Sequence, residues 1–395
     1  MKRTRPSIAL LAPVLLGYFV MAFCDMVPML SGYLAGAYGE EQQTAISFLP
    51  TMVFLWFLLF SVPAASLMSR CGRKKMALAG YLMSSLGLLI PYLAGEGCSL
   101  GWYFVGFGML GLGNMALQVP LNPMLASLAP TGEMSGYMTL GQIFRNAALM
   151  LFAPFLLGLT ALFDSWRLLL PIYALVTLLA AVWLWRVKMP ETRERVHRIS
   201  IPDAVKLLGN RAVRLGVLGL GLFLMADVAC GFLAARLVED PSSLLTTTGY
   251  YAFRIAGSIL GVWLLMRCSD LKYLRLNLLL ALACVVALMA VEPSWLIYLL
   301  FGLIGFAFAT TFATFYSAAL RAAGDREDEA AGLLVMAISA GALSTPICGR
   351  IIAWTGDPHR ALYFVVLCLL LMLWAASRIA KEEKMNTQNN NNETD

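Results

Sequence analysis

The sequence predicts an all-α membrane protein: twelve transmembrane helices in two pseudo-symmetric six-helix bundles. Three observations carry that reading. The first is composition. The 395 residues are 60% hydrophobic and 13% charged, with a mean hydropathy of +0.75, whereas soluble domains are roughly 45–50% apolar and about 25% charged. The second is the recurrence of apolar runs of about 20 residues, the length that crosses a bilayer core. The third is an acid repeated in two places. Asp25 lies deep in the run 8–34 and Asp227 deep in the run 213–235, each at the same step after a Leu-Gly pair, Leu16-Gly17 and Leu218-Gly219. Such a repetition in the two halves of a chain marks an internal duplication, and an acid at bilayer depth marks a substrate or proton pathway.

The elements follow in order. The first span, 8–36, comes after Lys2, Arg3 and Arg5; it is too long for a signal peptide and has no small-residue cleavage site, so it is read as a retained helix. Spans at 44–69, 76–95, 100–129, 136–163 and 167–187 complete an N-terminal bundle, 1–187. A charged connector interrupted by Pro190 and Pro202, 188–211, lies along the membrane surface. Spans at 212–237, 244–266, 273–291, 295–321, 328–354 and 359–379 form the C-terminal bundle, 212–380. The tail 381–395, with its run of asparagines, is too polar to fold and is predicted to be disordered.

Basic residues resist translocation, so their distribution sets the orientation. The N-terminus, the turn from Arg70 to Lys75, the connector, the turn near Arg267 and the tail carry them, whereas the loop containing Glu40 and Glu41 does not. Both termini are therefore predicted on the cytoplasmic side of the cytoplasmic (inner) membrane. The net charge of +6 is then a topology signal rather than a nucleic-acid footprint. Eight scattered cysteines without a C-x-x-C, and only two histidines, both in loops, predict neither disulfides nor a metal centre. No phosphate-binding loop is present. No cofactor, no metal and no nucleic-acid partner are expected, nor an enzyme, because no nucleophile, base and oxyanion donors assemble from the intramembrane residues.

Four ionisable residues fall deep in spans: Asp25, Arg145, Asp227 and Arg254. Asp227 and Arg254 both come out roughly 20 Å from the cytoplasmic ends of their spans, so a contact is allowed; Asp25 and Arg145 match less well. Each acid either locks its bundle by neutralising an arginine or alternates between pairing and protonation, and the two roles are compatible. Asp25 and Asp227 are the proton-coupling candidates, and Arg145 and Arg254 the ion-pair or gating candidates. Amides gather nearby in sequence. Asn114, Gln118 and Asn122 share one face of the fourth span, and Gln142 and Asn146 repeat the four-residue spacing on the fifth. With Thr310 and Thr314 on the tenth, and Asp25 itself, they are the substrate-binding candidates, a mixture of donors and acceptors that suits a small polyhydroxy solute. Hydrogen bonding between helices is the alternative role for any single one of them.

Two halves of six spans, a charged connector and the basic turn Arg70-Cys71-Gly72-Arg73-Lys74 resemble the major facilitator superfamily. Within it, the stretch Gly17-Tyr18 to Cys24-Asp25, the segment Gly113-Asn114 to Asn122-Pro123, and Ala331-Gly332-Leu333 to Gly341-Ala342 with Pro346 are similar to the fucose-galactose-glucose:proton symporters. The resemblance implies that Arg70, Gly72 and Arg73 belong to a gating motif. Ser69 stands in it where an acid is expected and Ala65 where glycine is usual. It also implies that Asp25 serves proton coupling and sugar binding, and that Gln118 stands where relatives carry a second carboxylate. The implied function is proton-coupled uptake of a monosaccharide such as fucose, glucose or galactose by a monomer in the lipid bilayer, through alternating access. Two alternatives stay open: proton-driven efflux of amphipathic compounds, and a membrane sensor that has lost transport.

Overall fold

Apolar runs of this length leave the backbone no partner but itself, and in lipid that demand is met by helix. The computed structural model describes residues 7–38, 42, 45–46, 48–130, 132–189, 201–237, 244–267 and 269–392. Among them the helices are α1 (Ile8–Asp25), α2 (Val27–Tyr38), α3 (Leu49–Cys71), α4 (Arg73–Leu93), α5 (Leu100–Leu128), α6 (Met134–Phe163), α7 (Leu169–Arg186), α8 (Ile201–Leu207), α9 (Arg211–Leu237), α10 (Leu244–Leu265), α11 (Asp270–Leu288), α12 (Ser294–Phe308), α13 (Thr311–Ala323), α14 (Glu327–Ala337), α15 (Ser344–Thr355) and α16 (Leu362–Asn392). Lys2, Arg3, Arg5, Cys268, most of the loop around Glu40 and the connector residues 190–200 with His197 lie outside the described residues.

Among the described residues, ten continuous helical stretches are long and apolar enough to cross a membrane, one of which, Ser294–Thr355, contains two expected spans. Helix α10 adds 22 residues whose apolarity is lowered by Arg254. Each of the twelve expected spans thus contains helix among the described residues.

Three of these spans are broken rather than continuous. The first breaks at Met26, between α1 and α2. Pro28 has no N–H for the Cys24 carbonyl and disfavours helical geometry at Val27, and the ladder resumes with the Leu30 N–H on the Met26 carbonyl at 3.1 Å. The break leaves Asp25 as the last residue of α1. The tenth breaks at Ala309-Thr310. There the Ala309 N–H reaches back three residues to Phe306 at 3.3 Å, and two adjacent β-branched threonines follow. The eleventh tightens into a 3-10 stretch, Ile338–Leu343, just before Pro346. The tail also departs from expectation. Helix α16 runs to Asn392, because Lys381 to Lys384 are strong helix formers and Glu382 and Glu383 pair with Arg211 at 2.9 Å and Arg321 at 3.5 Å. Part of the connector is helical as well, in α8.

The chain divides into two compact units. One comprises Met1–Thr131, Leu140–Ile201 and Ala331–Ser339; the other comprises Gly132–Thr139, Pro202–Ala330 and Ala340–Asp395. In the first, α4 packs along α5, and α5 also contacts α1 and α3. Gly80, Ser84 and Gly87 meet Gly106, Leu110 and Gly113, small residues that let two backbones approach. In the second, α10 packs on α12, and α9 on α13 and α16. A glycine two turns before each acid lets a neighbouring helix pack close to α1 and α9. A Cβ on Gly17 would overlap Tyr81 and Leu121, and one on Gly219 would overlap the Phe315 ring.

Candidate functional site

In the first unit the two charges predicted least able to meet are paired. Arg145 donates from Nε to Oδ2 of Asp25 at 2.8 Å and from Nη2 to Oδ1 at 2.9 Å. The whole two-nitrogen edge of the guanidinium is engaged, which is the strongest geometry for this pair. The contact forms although helical rise alone matched the two depths less well. Asp25 keeps 29% of its side chain exposed and Arg145 12%. Its place at the C-terminal end of α1 puts the carboxylate at the negative pole of the helix, which opposes its charge, so Arg145 compensates both acid and helix.

The amides cluster on α5 and α6 and are all buried. Tyr18, two turns before Asp25 on α1, donates its hydroxyl to Asn122 Oδ1 at 2.7 Å. Asn114 sits against Cys24, the neighbour of Asp25. Neither amide atom of Gln118 finds a protein partner, nor do Nδ2 of Asn122, Nε2 of Gln142 and Nδ2 of Asn146. An unpartnered buried polar group costs about 1–3 kcal/mol, so a cluster of them is a stability loss that a ligand would recover.

In the second unit Asp227 accepts from Nη1 of Arg254 at 2.8 and 2.9 Å and from the hydroxyl of Tyr250. Tyr250 and Arg254 are one turn apart on α10, so both reach α9 from one face. The guanidinium also lies over Phe223 at 5.5 Å, and its Nε has no protein partner. Thr310 accepts from Asn277 at 3.3 Å. Thr314 is fully buried with an unpartnered hydroxyl, as are Ser258 and Thr311. These residues line the broken tenth span.

The basic turn serves as a brace within the first unit. Gly72 adopts φ +93, a conformation that favours glycine, between α3 and α4. Lys74 then donates to the carbonyls of Trp185 at 2.9 Å and Val187 at 2.8 Å, closing the C-terminal end of α7 with a cation. Arg73 approaches the Pro123 carbonyl at 3.5 Å, and Arg70 is exposed. Ser69, where an acid was expected, bonds to the Ser66 carbonyl at 2.8 Å. Tyr18 and Tyr250 were not singled out in the sequence, although Tyr18 shares a helix face with Asp25 and Tyr250 one with Arg254.

Known proteins agree with this architecture. The sequence profile described as Major Facilitator Superfamily matches residues 14–238. The chain belongs to the major facilitator superfamily. As such it is an integral, multi-pass membrane transporter rather than an enzyme. It is 22% identical over 330 residues to the glucose/galactose transporter of Brucella abortus, covering 79% of this chain and 80% of that one. It is 22% identical over 361 residues to the L-fucose-proton symporter of Escherichia coli, covering 81% of each. The crystal structure of the superfamily transporter FucP in the outward conformation superposes with a TM-score of 0.80 at 19% identity, over 93% of this chain and 98% of that one. The fold is therefore that of the superfamily: twelve helices in two bundles.

Proposed function

We propose that this transporter carries out proton-coupled uptake of a monosaccharide by alternating access, with Asp25 as the proton-coupling acid. The observation that supports it most is the neighbourhood of Asp25. One titratable acid, held by one arginine, shares a unit with five buried amides, of which Gln118, Asn122, Gln142 and Asn146 leave hydrogen-bonding atoms free. Amides in that state match the hydroxyls of a sugar. Relatives that carry glucose and galactose, or L-fucose with a proton, are of the same chemical class. Asp25, Asn114, Gln118, Asn122, Gln142 and Asn146, with Thr310 and Thr314 of the second unit, are the substrate-binding residues in this reading. Asp227 with Arg254 is a second charged pair available to coupling, and Arg70, Gly72 and Arg73 brace the gate. The transporter works as a monomer in the cytoplasmic membrane with both termini inside.

The test is uptake of labelled fucose, glucose and galactose, together with their acidic derivatives, into proteoliposomes under an inward proton gradient. Accumulation that collapses with a protonophore supports the proposal. Efflux of a cationic amphipathic dye with no sugar uptake replaces it with the exporter.

A further inference from the structure

Protonating Asp25 breaks its pair and leaves Arg145, 12% exposed, as an unneutralised cation in the helices. Removing one partner of a buried ion pair leaves the other charge uncompensated, and that residual charge carries the cost. Among the described residues, Asp25 is the acid that pairs with Arg145. The remaining polar residues gathered on α5 and α6 near it are the neutral Asn114, Gln118, Asn122, Gln142 and Asn146. The position where a second acid would help, Gln118, holds an amide. A neutral hexose brings no charge either.

Among the described residues, fully buried amide nitrogens without a protein partner are found on Asn114, Gln118, Asn122, Gln142 and Asn146, and fully buried amide oxygens without one on Asn114 and Gln118, while Asn122 Oδ1 accepts from Tyr18. Gln142 and Asn146 flank Arg145 on the same helix. The N–H groups of Gln142 and Asn146 beside the guanidinium can donate to the oxygens of a carboxylate as well as to those of a hydroxyl.

We infer that the substrate is a monosaccharide carrying a carboxylate, a hexuronate or similar sugar acid, and that this carboxylate replaces Asp25 on the Nε/Nη2 edge of Arg145 when Asp25 takes up the proton. The inference rests on the monosaccharide-uptake reading and narrows its substrate class. The charges balance at each stage. Before loading, Asp25 carboxylate neutralises Arg145. On loading, one proton adds to the Asp25 carboxylate and one substrate carboxylate accepts two parallel N–H bonds from Arg145, the planar fork that arginine offers and lysine does not. One proton and one monoanion then cross together, moving no net charge. On release, the proton leaves Asp25, which takes the guanidinium back and displaces the anion.

The experiment compares labelled galacturonate with labelled galactose in proteoliposomes of the full chain, under an inward proton gradient, with the membrane potential set to zero or to negative inside by valinomycin and potassium. The inference predicts galacturonate accumulation at least about tenfold faster than galactose, which corresponds to about 1.4 kcal/mol, and unchanged by the potential. Galactose accumulation without galacturonate, accelerated by the negative potential, overturns the inference and keeps the uptake reading. Accumulation of neither of these, nor of fucose or glucose, removes both. Binding to two variants in detergent keeps the result independent of turnover. In Asp25→Asn, which imitates the protonated acid, galacturonate affinity no longer falls between pH 6 and pH 8 as it does in the wild type. In Arg145→Lys, which keeps the charge and loses the fork, galacturonate affinity drops about tenfold or more, and by a larger factor than galactose affinity. An affinity for galacturonate that ignores both substitutions overturns the proposed contact.

Discussion

Asp25 and Asp227 each hold an arginine inside the spans, but they do so in different ways. Arg145 gives Asp25 its Nε/Nη2 edge at the open end of a helix. Arg254 gives Asp227 a single nitrogen, Nη1, within the uninterrupted α9, while Tyr250 adds a third bond and Phe223 covers the guanidinium. The first pair faces a helix pole that opposes its acid and is bordered by unpartnered amides. The second is enclosed by its own ligands, with Asp227 18% and Arg254 8% exposed. The lesson is that similar residues in the two units can be held in different ways, and that the difference lies in what else reaches the acid; in the proposed reading the first pair serves turnover and the second mainly cohesion.

Substitutions can break that comparison, and the largest effect belongs to the enclosed pair. Arg254→Gln leaves Asp227 buried without a counter-charge and should lower unfolding stability by about 3–5 kcal/mol, read as a drop in the melting temperature in detergent. The double variant with Asp227→Asn should recover most of it. If Arg254→Gln is neutral, the second pair is not the cohesive one. Next comes the other side of the comparison. Gln118→Leu removes two unpartnered polar atoms and should stabilise the chain by about 1–3 kcal/mol while reducing uptake by tenfold or more, a stability gain obtained at the expense of function. Loss of stability in that variant would show that Gln118 holds the helices together.

Tyr250→Phe is a finer probe. It deletes one bond to a carboxylate that keeps Arg254, so the expected loss is about 1.5 kcal/mol, with sugar affinity unchanged; a changed affinity would move Tyr250 into the substrate site. The smallest effect sets the scale of an exposed pair. The His359 backbone N–H donates to Asp357 at 2.9 Å and, with the His359 ring, holds this carboxyl below the ordinary range. A depressed folded-state value gives stability that is present above the unfolded value and is lost as pH falls through the folded one. Asp357→Asn should therefore flatten only the acid limb of the melting curve below about pH 4, leaving neutral pH unaffected.

Much of this was legible in the sequence. Hydropathy located all twelve spans, because length and apolarity are what lipid demands, and the two acids and two arginines stood out because charges at depth are costly. The pair between Asp227 and Arg254 was foreseeable from helical rise alone. The breaks were not. A hydropathy window registers neither Ala309-Thr310 nor Pro28, whose missing N–H leaves the Cys24 carbonyl to the Met26 N–H instead. Tyr250 was missed because an aromatic near a span end reads as an interfacial anchor, and its bond to Asp227 depends on its alignment with Arg254. The helical continuation of α16 depends on Arg211 and Arg321, remote in sequence from Glu382 and Glu383.

The central claim is that the proton which drives uptake binds Asp25. Net uptake under an inward proton gradient should be measured beside equilibrium exchange of the same labelled substrate, for the wild type and Asp25→Asn. The account predicts that the variant loses gradient-driven accumulation to background while exchange persists. Accumulation that survives in Asp25→Asn and disappears in Asp227→Asn would contradict it and move the proton to the second unit.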